Sequence, residues 1–127
     1  MQTLTLDKMK FGSPNSNTFY TCYNLQGELT VPSSVTVLTG SNFYYCHSIR
    51  KLTFLGDLTS IGANTFNNCY SCMEWDFTHC SAVPTLANTN AFSGIRPTAK
   101  IKVPAALEAS WKAASGWSTY ASYIVGV

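Results

Sequence analysis

Apolar residues recur along the chain with a short spacing nested inside a long one. Leu4-Thr5-Leu6, Leu29-Thr30-Val31, Leu52-Thr53-Phe54, Trp75-Asp76-Phe77 and Ile101-Lys102-Val103 each read apolar, polar, apolar, and their first residues step by 25, 23, 23 and 26. Alternation of this kind marks a short strand buried on one face. Phe19, Phe43, Phe66 and Phe92 form a second ladder with steps of 24, 23 and 26. Three residues after the first three of these stand Cys22, Cys46 and Cys69, and three further on stand Leu25, Ile49 and Cys72. Spacing of i, i+3, i+6 puts Phe, Cys and the apolar residue on one face of a short helical turn. Val35 and Leu38, Leu58 and Ile61, then Val83 and Leu86 fill the gap between strand and turn.

One such unit is too small to bury its own apolar side, so successive units must stack strand beside strand. The spacing predicts an α/β repeat: a solenoid of about four coils with short parallel strands over residues 1–103. Residues 104–127 read as a helical cap completing the same structural domain. Pro104 is a favourable first helical residue, Leu107, Trp111 and Ala114 share a face, and Trp117, Tyr120 and Ile124 continue the apolar supply. Met1 leads almost directly into the first strand without an equivalent lid. The chain is therefore expected to be the C-terminal piece of something longer, or its first coil to meet a partner or self-associate with a second copy.

The stretch "LTSIGANTFNNC", with its echoes "SSVTVLTGSNFYYC" and "AVPTLANTNAF", resembles the leucine-rich repeats of the BspA type, whose units carry I-G-x-x-A-F-x-x-C-x-x-L. The likeness runs over nearly the whole chain. The tail "IKVPAALEASWKAASGWSTYASYIV" is similar to closing segments of bacterial surface proteins and phage tail-associated proteins. The resemblance implies a leucine-rich-repeat solenoid and a binding role rather than a chemistry. It points to a bacterial cell-surface or secreted adhesion protein that contacts protein or glycan on a host or neighbouring cell. The alternatives are a receptor-binding domain of a phage or prophage tail, located on the virion, and a structural spacer in a longer chain.

Composition narrows the field further. A chain of 127 residues is one domain's worth, 46% of it hydrophobic, which suffices for a core without metals or bridges. Charged residues make up only 11%, and Ser, Thr, Asn and Tyr carry the polar surface, a balance that suits an extracellular or virion setting. A formal net charge of +2 supplies no field for nucleic acid or a membrane surface. No run approaches the roughly 18 apolar residues of a membrane helix, and no basic region followed by an apolar stretch marks an export signal in the first thirty residues. An export address is expected outside this chain.

Cys69 and Cys72 with His79 and Cys80 have the ligand types of a zinc site. The register argues otherwise, because Cys69 occupies the column of Cys22 and Cys46, and Cys72 that of Leu25 and Ile49. Both face inward beside Phe66, Trp75 and Phe77, so they read as buried reduced thiols acting as small apolar side chains. Equivalent residues of stacked coils point the same way, which disfavours bridges between them. Cys80 lies off the ladder and is expected to be the exposed, reactive thiol. Cys46-His47 and His79-Cys80 are sequence neighbours without an orienting third group, so no catalytic pair and no enzyme is expected. No metal and no cofactor is called for.

Two surfaces remain for a partner. Around the Phe-x-x-Cys turn, Tyr20, Tyr23, Tyr44, Tyr45, His47 and Tyr70 stand between the inward residues and must face out, offering flat amphipathic contact area at low entropy cost. The alternative is the strand face, carrying Thr3, Glu28, Lys51, Glu74 and Lys100 in one column and Thr5, Thr30, Thr53, Asp76 and Lys102 in the next. The first column alternates in sign from Glu28, which predicts pairing across the strands and a self-neutralised, solvated face. Asn17, Ser41, Asn64 and Asn90, each two residues before a Phe, read as side chains that satisfy the turn backbone.

Overall fold

The computed structural model describes residues 27–31, 33, 35–38, 43 and 48–127, and the backbone of residues 3–5. Among the described residues nine short strands lie in two parallel sheets. β1 (Thr3–Thr5), β2 (Gly27–Val31), β4 (Ile49–Phe54), β6 (Glu74–Asp76), β8 (Lys100–Val103) and β9 (Ile124–Gly126) form the larger sheet in that spatial order. β3 (Val37–Leu38), β5 (Ser60–Ile61) and β7 (Thr85–Leu86) form the smaller one. The coils of β2, β4 and β6 each contribute one strand to each sheet, which is why every pairing among the described residues is parallel and the core runs as columns between the sheets.

The apolar alternation sets the register. Leu4, Leu29, Leu52, Trp75 and Ile101 stand on successive rungs, and Ile124 adds a further rung. Leu29, Leu52, Trp75, Ile101 and Ile124 are all buried. A one-residue slip would turn this whole column to solvent. Behind it the rings form their own ladders. Phe43 and Phe66 stack at 5.8 Å, Phe66 and Phe92 lie 5.2 Å apart, and Phe54 and Phe77 stack at 5.1 Å and 3°. Phe19 lies outside the described residues.

The turn carrying the Phe and Cys columns is tighter than an α-helical one. Cys69 N–H donates to Phe66 O and Cys72 N–H to Cys69 O, both at 3.1 Å, and Asn67 N–H to Asn64 O at 3.1 Å. These are i→i+3 bonds, and at three residues per turn side chains three apart eclipse one another. The strict three-residue spacing of Phe66, Cys69 and Cys72 follows. The next coil closes the same turn as a 3₁₀-helix, Thr89–Phe92, with Asn88 accepting from Asn90 N–H at 2.8 Å. Neighbouring turns are laced together by Phe66 N–H to Ala91 O (2.9 Å) and Asn68 N–H to Ser93 O (2.8 Å).

The tail is more than a helix. Pro104 caps a 3₁₀ turn, Ala105–Leu107, and the α-helix proper, α1, spans only Glu108–Ala113. Trp111 is fully buried, and Leu107 and Ala114 pack partly against the core as the pattern predicts. Gly116 then turns the chain at φ +79°, a region open to glycine, where it packs on Leu86 of β7. A 3₁₀ segment, Trp117–Tyr123, leads into β9. Each column of the last coil is thereby covered. Trp117 Nε1 donates to Pro84 O beside β7 (2.8 Å), Tyr120 OH donates to Thr89 O, and Ile124 pairs with Ile101. The tail is a degenerate final coil, with Ile124 standing 23 residues after Ile101 as the repeat requires.

Candidate functional site

On the outer face of the larger sheet, residues 28, 51, 74 and 100 stand on successive rungs, as do residues 30, 53, 76 and 102. Glu28, Thr30, Lys51, Thr53, Glu74, Asp76 and Lys102 are half-buried, whereas Lys100 is exposed. Glu74 is the electrostatic hub. Its two carboxylate oxygens receive Lys51 and Lys102, each at 3.1 Å. Lys51 fits the column, but the second partner lies diagonally, so Lys100 directly opposite Glu74 stays outside the ion pairs. The hydrogen bond to Glu74 leads the causes that raise the Lys51 pKa, with the Glu74, Glu28 and Asp76 charges adding to it. Asp76 is occupied locally, its Oδ1 accepting from Thr78 N–H (2.9 Å) and Thr78 Oγ1 (2.6 Å). Half-exposed pairs of this kind contribute about 0–1 kcal/mol each.

The turn face behaves differently. Tyr70 stands between Cys69 and Cys72, both buried, and is 48% exposed. Tyr20, Tyr23, Tyr44, Tyr45 and His47 lie outside the described residues. Met73, three residues beyond Tyr70, is 40% exposed and accepts from Thr98 Oγ1 of the next coil (Sδ to Oγ1 3.8 Å).

The thiols are held by backbone carbonyls. Cys69 Sγ–H donates to Phe43 O (3.0 Å) and Cys72 Sγ–H to Glu74 O (3.3 Å), and desolvation pushes the Cys72 thiol far above its ordinary range. Cys80 corrects the sequence expectation: it is buried, at 5% exposure, and burial pushes its pKa up to about 11. The reason lies one residue on. Asp57 of the preceding coil accepts from Ser81 N–H at 2.9 Å and from Ser81 Oγ, drawing the loop inward over Cys80. A thiol so protonated is neither a nucleophile nor a ready ligand. His79 beside it is exposed, and among the described residues no group of three His, Cys, Asp or Glu converges as a metal set. No helix of the described residues is long and apolar enough to cross a membrane.

Sequence reasoning missed a cluster where strands β4, β6 and β8 begin. The pairing of β2 with β4 shifts so that Gly27 faces Ile49 and Glu28 faces Lys51, leaving Arg50 as an extra residue. Such a bulge re-aims its side chain, and Arg50 is exposed. Met73 N–H donates to Arg50 O (2.7 Å) and Lys100 N–H to Met73 O (2.9 Å), which places the three side by side. Arg96 stands 26 residues after Tyr70, the same step that separates Phe66 from Phe92, so the turn-face column continues as Tyr70, Arg96. That spacing was the available signal.

The family model for the BspA type leucine rich repeat region matches residues 2–114, in six copies where the apolar spacing predicts about four coils. No curated protein and no solved structure matches the chain.

Proposed function

Since the chain belongs to the BspA-type leucine-rich-repeat family, we propose that it is a non-enzymatic binding module of a bacterial cell-surface or secreted adhesion protein, engaging protein or glycan on a host or neighbouring cell. Solenoids of this kind present long, regular surfaces suited to protein binding rather than a closed reaction site. The observation that carries the reading is Tyr70. Its neighbours Cys69 and Cys72 are locked into the core, yet its own ring is about half exposed on the turn face. An aromatic ring with a polar tip, held on a rigid turn, is the residue type that dominates binding energy at protein surfaces. The outer face of the large sheet is the weaker candidate, because Glu74 holds Lys51 and Lys102 in internal pairs.

The test is binding of the purified chain to arrays of glycans and surface proteins, repeated with Tyr70→Ser. Loss of about tenfold or more in affinity, with an unchanged melting temperature, is the expected result for an anchor worth about 1.4 kcal/mol or more. Unchanged affinity would move the site to the strand face. An export signal or wall anchor in the full gene supports adhesion, whereas neighbouring tail genes would overturn it in favour of the phage reading.

A further inference from the structure

The cluster at the strand entrances combines two properties found together nowhere else among the described residues. Its centre is apolar and exposed, formed by Met73 and Tyr70, at 40% and 48% exposure. Around that centre stand the exposed cations Arg50, Arg96 and Lys100. Arg50 and Lys100 flank Met73 through the backbone bonds to either side of it, and Thr98 Oγ1 meets its sulfur. Tyr70 stands in the i→i+3 turn from Cys69 to Cys72, three residues before Met73, and Arg96 follows Tyr70 on the next coil, anchored by Ala99 N–H to Arg96 O (2.9 Å).

Four of the six carboxylates are employed elsewhere. Asp57 holds Ser81, Asp76 holds Thr78, Glu108 pairs with Lys112, and Glu74 is divided between Lys51 and Lys102. Glu28 faces Lys51 on its rung. Asp7 alone lies outside the described residues. No ion pair among the described residues includes Arg50, Arg96 or Lys100. The sheet face neutralises itself and this edge does not.

We propose that the edge formed by Arg50, Tyr70, Met73, Arg96 and Lys100 docks an acidic protein segment that carries an aliphatic or aromatic side chain between its carboxylates. The proposal rests on the binding reading above and supplies the partner's chemistry. Arg guanidinium groups bind carboxylates in two-point fashion, and a pair of them on either side of the coil of Met73, with Lys100 on the Arg96 side, fixes the direction of an extended acidic chain. Met73 supplies a soft, adaptable contact for an apolar side chain, and Tyr70 an amphipathic wall. A glycan, even a sulfated one, brings charge but no apolar side chain to seat on the thioether. The occupant that uses both features is protein.

Fluorescence anisotropy of the whole chain tests this with three probes: a labelled peptide alternating Glu with Leu and Tyr, the same peptide with Gln for every Glu, and heparin. The acidic peptide should bind, and its affinity should fall by about tenfold between about 50 and about 300 mM salt, because exposed charge attraction is screened over that range. The Gln peptide should bind at least tenfold more weakly, and a combined R50Q, R96Q and K100Q variant should lose a similar factor at an unchanged melting temperature. Equal binding of the two peptides, no binding of the acidic one, or heparin bound more tightly than the acidic peptide would each overturn the proposal. Tyr70→Ser separates it from the reading beneath it. If that variant loses array ligands while the triple variant keeps them, the binding function stands and the acidic partner falls; if both keep every ligand, the turn-face reading falls as well.

Discussion

The seal at the end of the solenoid gives the sharpest test of the packing, because two fully buried tryptophans there differ in one hydrogen bond. Trp111 and Trp117 are both 0% exposed, their rings lie 5.3 Å apart, and both pack on Phe77, at 5.8 and 5.9 Å. Replacing either by Phe removes the same atoms from similar surroundings, so the transfer and cavity costs nearly cancel in the comparison. The polar terms do not cancel. Trp117 Nε1 donates to the carbonyl of buried Pro84, whereas Trp111 Nε1 has no partner among the described residues. Trp117→Phe strands that carbonyl at a cost of about 1–3 kcal/mol, while Trp111→Phe removes an unpaired buried donor and recovers about 1–3 kcal/mol. The two variants should therefore differ by at least about 2 kcal/mol, Trp117→Phe being the less stable. In urea this separates the midpoints by about 1 M at a slope of about 2 kcal/mol/M, with the slope unchanged. Trp75→Phe, whose Nε1 is also unpaired, should follow Trp111→Phe. Equal stabilities, or a costlier Trp111→Phe, would refute the assignment of the Trp117 bond as the fastening of the second sheet. The double variant will not be additive, since the rings touch.

Two further outcomes follow from the ionisable groups. Cys69, Cys72 and Cys80 should resist iodoacetamide at pH 8 in the folded chain and react once it is unfolded: a thiol at about 11 is about one part in a thousand thiolate there, against about a quarter for an ordinary exposed cysteine; labelling of folded Cys80 at the free rate, read by mass spectrometry, would contradict the buried placement. The Ser81 hydroxyl and N–H hold the Asp57 pKa below its ordinary value, so the contribution of that carboxylate is fully present above about pH 5 and is lost as pH falls through its usual value near 3.9 toward the lower folded one; Asp57→Asn should flatten this part of the acid limb of a melting-temperature profile, and an acid limb identical to that of the parent would count against the latch.

The columns were legible in the sequence because every rung repeats the same burial problem. Leu29, Leu52, Trp75 and Ile101 cannot satisfy a period of 23 to 26 in any other stacked register. What escaped were the places where one coil departs from the others. Cys80 sits in a coil whose spacing from Leu58 to Val83 is 25 residues, against 23 from Leu52 to Trp75, and only the long-range bond from Ser81 to Asp57 decides where the extra residues go. Arg50 hides behind an unremarkable strand pattern, and the bulge becomes visible only when β4 is laid against β2. β9 was missed for the opposite reason. Ile124 keeps the spacing, but the helical pattern around Trp111 dominates the segment, and a three-residue strand has too little periodicity to compete. Of the candidate site, the direction of Tyr70 followed from the register, whereas the diagonal choice of Lys102 over Lys100 depends on side-chain reach that a column diagram does not contain.

The way α1 lies across β9 also constrains what residue 126 can be. A Cβ added to Gly126 would come within 3.0 Å of Ala105 Cα and 2.5 Å of Glu108 Oε1, so the helix start is pressed against the face of this strand. Any larger residue there must push the helix start away from the strand that carries Ile124, the buried rung beside Ile101. The lack of a side chain at one position is what lets the cap close on the core.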